Sequence, residues 1–600
     1  MRLRRIAPIV FAAAAALAAG TVTETRAPGG DATTSAVPAR PDDRTVTHVL
    51  NRIGFGPAAG DVEEVRRIGL AKYIDQQLHP EKIADAAMTA RLAGFETLTK
   101  STRELAEAYF IPAQMERRRV QQQAASDSSM DDRGDNKPMR TPGQVEAMKG
   151  ERQVLAELTQ QKVLRAAYSE RQLEEVMVDF WFNHFNVFAG KGQTRLYLPE
   201  YEREAIRPHV FGTFRDLLGA TAGSPAMLFY LDNWQSSAPE GSATAAPERM
   251  TDRVRKRPGQ FGRPGRMPRI AQPRATAAPE GAAPKRRPRG LNENYARELM
   301  ELHTLGVDGG YTQKDVQEIA RAFTGWTIAN PRQGGGFHFE PRLHDNGEKM
   351  VLGHRIEAGG GRKDGEQVLD ILAAHPSTAR FIAAKLARRF VADEPPAALV
   401  DRAAARFRST GGDIREVVRT IVTSPEFFAP AAYRAKVKTP FEFVVSAVRA
   451  TSAEVRTSAA SPPRERSEPT KRRAREREGE SEGRSPSDQI DAQLLVQSLR
   501  TLGMPLYGCQ PPTGYADRAD AWVNTGALLN RMNFAVSLTG GRMRGVRMPA
   551  AGILDTARDT FVEQVLAGDL SAATRATVGR ATQTAQAVAL LVGSPEFQRR

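Results

Sequence analysis

Apolar side chains recur at helical spacing in the segment 291–328, and the pattern divides this segment into two helices. With about 100° per residue counted from Tyr295, one arc of the first helix collects the apolar residues together with His303. The imidazole of His303 is therefore predicted to point inward, and Gly306 is predicted to end the helix. The members of this arc are Tyr295, Ala296, Leu299, Met300, Leu302 and His303.

A second helix is predicted to begin at Thr312. Thr312 and Asp315 have the spacing of a capping box, in which each side chain accepts a hydrogen bond from the backbone N–H of the other residue. Val316, Ile319 and Phe323 follow at helical spacing and are predicted to be buried.

Helical periodicity dominates most of the remaining chain, including a helix that carries His184 on its apolar face. The clearest strand signal is the alternation at 337–340, followed by Asn346-Gly347, a typical type I′ turn, and a return at 350–352. The predicted fold is therefore mainly α, a large multi-helix globular protein with one short β-hairpin and disordered insertions.

Composition divides the chain into a leader, a tail and one large helical region. Three stretches lack core-forming residues and are predicted to be disordered insertions. The predicted organisation is a signal peptide at 1–27, a polar tail at 28–44 and a helical domain at 45–600, with insertions at 121–147, 236–290 and 452–487.

The formal charge of +15 suggests a nucleic-acid-binding protein, but its location argues against that interpretation. The insertion 236–290 carries 13 Lys and Arg against 4 Asp and Glu, which is nine of the fifteen excess charges. A basic, Pro- and Gly-rich insertion is typical of a solvated linker, and any binding to phosphates there would be non-specific. We therefore expect no specific nucleic-acid partner.

The N-terminus has the pattern of a secretory signal peptide. Arg2, Arg4 and Arg5 precede an apolar run from Ile6 to Ala19, which small and polar residues follow. This pattern predicts export to the periplasm or the medium, and it leaves the general and the twin-arginine routes both open. No later run is long enough to predict a transmembrane segment in the mature chain.

The single cysteine, Cys509, excludes an intramolecular disulfide framework, an attached c-type haem and a cysteine-based zinc cluster. The sequence also lacks the standard nucleophile, phosphate-loop, zinc-protease and dinucleotide motifs, so no cofactor is assigned.

The candidate chemistry rests on inward polar residues. His184, Glu298 and His303 are candidate catalytic residues, because a half-buried carboxylate and two imidazoles suit acid–base work. Most inward histidines are core residues with one satisfied hydrogen bond, so that interpretation stays open. The amides that surround them need partners and would suit a polar ligand; they are Asn183, Asn186, Asn292 and Asn294.

Two further patterns allow a binding role or a purely structural one. Arg297 lies between Glu293 and Glu301 at i, i+4 spacing, which predicts either an exposed ion-pair ladder or a clamp for an anionic group. Trp522 and Arg531 follow a Gly- and Pro-rich stretch, and they suit either the wall of a binding groove or ordinary packing.

The predicted hairpin concentrates residue types that bind metals. Such residues also serve solubility at turns, so a metal site here is left open and no metal ligand is assigned. The residues are His338, Glu340, His344, Asp345 and His354.

Several stretches resemble one bacterial family. The sequence GLNENYARELMELHTLGVDGGYTQ followed by ARAFTGWT, together with NRIGFGPAAGDVEEVRRIGL, FWFNHFNVF and HDNGEKMVLG, is similar to the "domain of unknown function 1800" family. The resemblance covers most of the chain from about Val46, and two copies of SPEF near the end agree with it. It implies an exported, mainly helical bacterial protein, and it implies no activity.

The resemblance also implies that the two sides of the basic insertion are adjacent, with Asp232 and Asn233 near Asn292. It further implies a possible exported sulfatase-like partner. We hypothesise that this corner, the helix 292–303 and the segment 180–188 form one polar cleft. The cleft would serve an acid–base enzyme of the hydrolase type or, alternatively, a non-catalytic binding or assembly protein.

Overall fold

The computed structural model describes residues 35–127, 142–239, 241–242, 290–455, 493–549, 559 and 561–600. The expected signal peptide 1–27 lies outside these residues, as do most of the insertions 236–290 and 452–487.

Helices form most of the described chain, which confirms the mainly α prediction. The first group is α1 (Asp43–Ile53), α2 (Asp61–Ile68), α3 (Leu70–Leu78), α4 (Ala86–Leu92), α5 (Thr102–Leu105), α6 (Ile111–Asp127), α7 (Pro142–Tyr168), α8 (Gln172–His184), α9 (Thr194–Glu200), α10 (Phe214–Ala222) and α11 (Pro225–Tyr230). The central group is α12 (Glu293–Glu298), α13 (Gln313–Ala322), α14 (Arg362–Ala374), α15 (Pro376–Phe390), α16 (Ala397–Ser409), α17 (Ile414–Val422), α18 (Pro425–Phe428) and α19 (Pro440–Ala450). The last group is α20 (Gln493–Thr501), α21 (Thr525–Thr539), α22 (Ala572–Gly579), α23 (Thr584–Val592) and α24 (Pro595–Gln598).

Wider π-helical turns interrupt or extend this pattern at four described places, which are Ala106–Phe110, Tyr201–Ile206, Leu299–Thr304 and Phe561–Val565. Among the helices of the described residues, none combines the length and the apolar character that a membrane crossing needs.

The helix-capping features predicted at the end of the first helix and at the start of α13 are present. Thr312 and Asp315 make the complete capping box of α13. Gly306 adopts φ +82°, the left-handed conformation that ends a helix and that favours glycine.

Strand pairing differs from the predicted hairpin. The structure has three two-stranded antiparallel sheets among the described residues: β1 (Trp326–Ile328) with β2 (Phe337–Phe339), β3 (Lys349–Val351) with β4 (His354–Ile356), and β5 (Glu454–Val455) with β6 (Val546–Arg547). The predicted pairing of 337–340 with 350–352 is therefore wrong. The tight turn lies at Leu352-Gly353, where both residues have positive φ. Side chains hold the Asn346-Gly347 turn instead, because Gly347 donates its N–H to Asp345.

The edges of the predicted insertions also differ from their expected positions. Helix α6 continues to Asp127 and α7 begins at Pro142, so parts of 121–147 are helical. Ser236 is buried and its hydroxyl accepts a hydrogen bond from the backbone N–H of Asn292. Strand β5 lies inside the predicted insertion 452–487.

One continuous apolar core runs through the chain from Val46 to Phe597. Helix α8 lies inside it, and Trp181 on this helix is fully buried. Helix α15 buries Ile382 and Leu386, while the neighbouring Lys385 is only partly buried. The ends of α8 and α15 therefore bring polar groups to the border of a densely packed region.

Candidate functional site

A cavity of about 200 Å³ lies between the ends of α8 and α15 and the loop 513–518. This is within an order of magnitude of the space that small-molecule sites occupy. The polar groups around it come from three separate parts of the chain. They are Asn183, His184, Lys385, Arg388, Thr513, Tyr515, Asp517 and Arg518.

Two hydrogen bonds fix the tautomer of His184. Its Nε2 lies 3.1 Å from the carbonyl oxygen of His303, and a carbonyl can only accept, so Nε2 carries the proton. The other nitrogen, Nδ1, is therefore bare and accepts a hydrogen bond from the amine of Lys385 across 2.8 Å. The result is a neutral imidazole that holds a lysine amine at the cavity.

Burial controls the charge of this pair. Burial, and then the positive charge of Lys385, hold the pKa of the His184 imidazole well below its ordinary value. Burial also lowers the pKa of the Lys385 amine to about 8. The exchangeable proton therefore belongs to the amine, and a substantial fraction of Lys385 is neutral in mildly alkaline solution.

His303 contributes its backbone to the site. Its carbonyl lies in the last turn of the π-helical segment Leu299–Thr304, where carbonyls lack an intrahelical partner and are free to accept from a side chain. Its ring is buried, packs 5.1 Å from Phe185 and 6.2 Å from His184 between ring centroids, and does not line the cavity. Burial lowers the pKa of the His303 imidazole to about 3, so the ring is neutral near pH 7.

Asn183 of α8, and Asn186 just after this helix, hold the segment 509–515 that forms one side of the cavity. The side chain of Asn183 donates to the carbonyl of Tyr515 across 2.8 Å and accepts from its N–H across 2.7 Å. Asn186 donates to the carbonyls of Cys509 and Pro511. The partly buried amide of Asn183 and the buried amide of Asn186 are therefore both satisfied by backbone groups, and the bonds from Asn183 fix Tyr515 as a wall of the cavity.

Cations outnumber carboxylates around the cavity. Lys385, Arg388 and Arg518 border it, against the single carboxylate of Asp517. Asp517 is already paired with Lys436 at 2.9 Å, and Arg518 with Glu394 at 2.9 Å, whereas Lys385 and Arg388 have no carboxylate partner among the described residues. Arginine and lysine bind carboxylates and phosphates through charge-assisted hydrogen bonds, so the arrangement suits a small anionic ligand.

Glu298 and Arg297 lie elsewhere on the helix that leads to His303. Glu298 is partly buried and does not line the cavity; burial, and then the charge of Glu301, raise the pKa of its carboxyl group. Arg297 pairs with Glu301 at 3.5 Å and donates to Gln313. Asn294 is exposed. Of the predicted ladder, the pair between Arg297 and Glu301 is present, while Glu293 accepts a hydrogen bond from Gln313 instead of pairing with Arg297.

The corner expected beside the basic insertion forms as the resemblance implied. Asn292 donates to the carbonyl of Leu231 across 2.7 Å, and Asp232 pairs with Lys191. Asn233 is fully buried and donates to two backbone carbonyls. The corner joins the two sides of the insertion, and its residues are not among those that line the cavity.

Trp522 and Arg531 support the loop and the core. The indole N–H of Trp522 donates to the carbonyl of Ala516, and its ring lies 6.0 Å from that of Tyr515. Arg531 is 1% exposed and donates to the carbonyl of Lys438, so it is a buried core residue.

The five residues considered for a metal separate into two environments. His344 is buried against Asp364 at 3.1 Å, and Asp345 is paired with Arg321 at 3.0 Å. His338 is exposed. Across the described ranges, no three His, Cys, Asp or Glu side chains are grouped so that they could hold a metal ion. The five are His338, Glu340, His344, Asp345 and His354.

The sequence interpretation did not include Lys385, Arg388, Asp517 or Arg518. A partial signal exists on α15, where Lys385 borders the buried positions of an amphipathic helix. Nothing in the local pattern joins Lys385 to a histidine 201 residues away.

The family model described as "Protein of unknown function (DUF1800)" matches residues 48–599. No curated protein and no solved structure matches the chain.

Proposed function

The chain belongs to the DUF1800 family of proteins of unknown function, and we propose that it is an acid–base enzyme acting on a small anionic substrate. The observation that carries this proposal is the 2.8 Å contact between the Lys385 amine and the bare Nδ1 of His184 at the cavity. In this function Lys385 takes a proton from the substrate or gives one to it. His184 is a positioning residue, because its own pKa is too low for it to hold the proton.

The electrostatics of the cavity support the substrate class. Arg388 donates through Nε to the carbonyl of Asp393, and its Nη groups have no hydrogen-bond or ion-pair partner among the described residues. They are therefore free to bind a carboxylate or phosphate group. An amine with a pKa of about 8 is effective as an acid–base group because this value lies close to physiological pH.

The cations at the cavity, Lys385, Arg388 and Arg518, would also suit a protein that binds an anion without turning it over. The hydrogen bonds that attach the loop to Asn183 and Asn186 are compatible with this alternative, since a fixed wall suits binding as well as catalysis. We also propose that the protein acts after export, which Arg2, Arg4, Arg5 and the apolar run 6–19 support. N-terminal sequencing of the mature protein tests export.

Lys385→Met tests the site, with Lys363→Met as the control because Lys363 is exposed. Thermal unfolding is measured with acetate, sulfate and phosphate at constant ionic strength. Proton NMR follows a panel of small carboxylates and phosphate esters incubated with each protein. The wild type and the control are expected to be stabilised by an anion and to consume one compound. Turnover in Lys385→Met should fall by about 10²–10⁴-fold.

Equal turnover in Lys385→Met and in the control would overturn the proposal. Stabilisation by an anion without consumption of any compound would instead favour the binding alternative. Lys385→Arg serves as a second variant that keeps the charge, in case the Met variant does not fold.

A further inference from the structure

Lys385, which is partly buried, differs from three buried lysines in what its amine contacts. Lys349 is paired with Asp364 at 2.6 Å, and Lys436 with Asp393 at 2.6 Å. Each of these two amines therefore has a carboxylate as its partner. Lys385 contacts a neutral imidazole instead, and no carboxylate lies within ion-pair distance of it among the described residues.

Lys438 offers the closest comparison. Its amine donates to the hydroxyl of Ser446 across 2.7 Å, and burial lowers its pKa to about 7. The space beside Lys438, however, is about 10 Å³, which is room for about one water molecule. Lys385 borders about 200 Å³. Of these four amines, Lys385 has both a neutral partner and space for a small molecule.

We propose that Lys385 is a nucleophile that forms an imine with a small anionic carbonyl compound of the 2-oxo acid class. The inference rests on the proposed function, because it uses the same cavity and the same amine. The substrate carboxylate would bind the free Nη groups of Arg388 on the same helix, and the carbonyl carbon would face Nζ of Lys385. Arginine binds carboxylates in a fixed geometry, which orients the carbonyl for attack.

The step balances without an oxidant or a reductant. The neutral amine adds to the carbonyl carbon, so that a C–N bond forms and the C=O bond becomes a C–OH bond in a carbinolamine. The nitrogen gives one proton to solvent while the oxygen takes one up, which yields the carbinolamine. The hydroxyl group then takes a second proton from solvent and leaves as water while the nitrogen lone pair forms the C=N bond, and the product is the protonated imine, which keeps one N–H. His184 accepts one N–H of the amine throughout, which leaves the nitrogen lone pair free for the attack.

Reductive trapping of the full chain tests the inference. The wild type is incubated with pyruvate and sodium cyanoborohydride, and adducts are located by intact mass and by peptide mapping. Acetone serves as the matched probe that lacks the carboxylate. We expect one reduced pyruvate on Lys385, with about ten-fold less adduct from acetone because the charge-assisted contact to arginine is lost. The peptide of Lys438 should remain unmodified because its space is too small.

Lys385→Arg should abolish the adduct, and Lys363→Arg, at an exposed lysine, should leave it unchanged. The peptide map of the wild type identifies the site even if the first variant folds poorly. Adducts spread over exposed lysines without Lys385, or equal labelling by pyruvate and acetone, would overturn the inference. If pyruvate raises the melting temperature of the wild type but leaves Lys385 unmodified, the imine is excluded and the proposed anion site stands.

Discussion

Lys385 donates a hydrogen bond to the unprotonated Nδ1 of His184 across 2.8 Å, although the two residues are 201 positions apart. The carbonyl of His303 completes the arrangement by accepting from Nε2. Residues from three distant segments therefore determine the environment of the Lys385 amine. Its ionisation consequently reports whether the site is correctly folded. The predictions below use that dependence.

The Lys385 amine should make stability rise in alkaline solution. Its pKa is about 8 in the folded protein and 10.5 in a free side chain, so between these values the unfolded state binds more protons. The free energy of unfolding therefore increases as pH rises from about 8 to 10.5, by about 2 kcal/mol. Urea unfolding of the wild type and Lys385→Met at several pH values measures it.

The free energy of unfolding of the wild type minus that of Lys385→Met should increase as pH rises from about 8 to 10.5. Lys363→Met, at an exposed lysine, should follow the wild type. A flat difference would mean that the Lys385 amine is not perturbed by the fold.

Glu442 should be essential for stability beside the site. Burial alone would raise its pKa, yet the charges of Arg389 and Arg600 outweigh burial and lower the pKa to about 2. Glu442→Gln should cost about 3–5 kcal/mol, because it leaves buried guanidinium groups without compensation. Glu416→Gln, which breaks a partly exposed pair with Arg406, should cost less than about 1 kcal/mol.

The acid response gives an independent measurement at Glu442. Because its folded pKa lies below the ordinary 4.5, the stability that it contributes is present above pH 4.5 and is lost as pH falls toward 2. Glu442→Gln should remove that part of the acid sensitivity. An unchanged slope of unfolding free energy between pH 4.5 and 2 would contradict the assignment.

Gly514 should be required for the loop that closes the cavity. It has φ +71°, and an added Cβ would lie 2.2 Å from the carbonyl oxygen of Asn183. Gly514→Ala should therefore displace the loop and abolish anion binding. Gly411→Ala is the matched control, because Gly411 has φ +64° and nothing lies within 4 Å of its added Cβ. The control should show only the conformational cost of about 1–2 kcal/mol.

Calorimetric titration of both glycine variants with pyruvate or phosphate separates displacement of the loop from the conformational cost of a Cβ at positive φ. Equal binding by both variants would show that the loop position is not needed.

The sequence predicts the helices better than the site, and particular residues show why. Helical phase alone places His303 and His184 on inward faces, and the two rings indeed meet. Phase does not tell which neighbour a buried polar group will choose, so the amide of Asn183 was interpreted as ligand-binding although it holds Tyr515. Lys385 was missed because its partner is distant in the chain. Its partly exposed position on α15 is also typical of an ordinary lysine beside the buried face of an amphipathic helix.

The wrong prediction of which strands pair has a similar origin. Asn346-Gly347 carries the usual residues of a type I′ turn, but the turn between β3 and β4 uses Leu352 at φ +47°. Leucine rarely adopts that conformation, so local preference pointed to the wrong position. Tertiary contacts decide instead, since Lys349 donates to the carbonyls of Asp345 and Gly347 and fixes the earlier turn in another role.

A last prediction separates the two histidines. His184→Phe removes the acceptor of the Lys385 amine, so the charged amine loses a hydrogen bond and its pKa should fall further below 8. The alkaline rise in stability should then begin at a lower pH, and the pH dependence of imine trapping should shift in the same direction.

His303→Phe keeps the backbone carbonyl that orients His184, and it removes a ring whose Nε2 has no partner among the described residues. The pH at which stability rises should therefore stay unchanged in His303→Phe, with a change in unfolding free energy of about 1 kcal/mol from repacking. The measurement is urea unfolding of both variants between pH 7 and 10.5. If His303→Phe shifts this pH as far as His184→Phe does, the His303 ring, and not its carbonyl, acts on the amine.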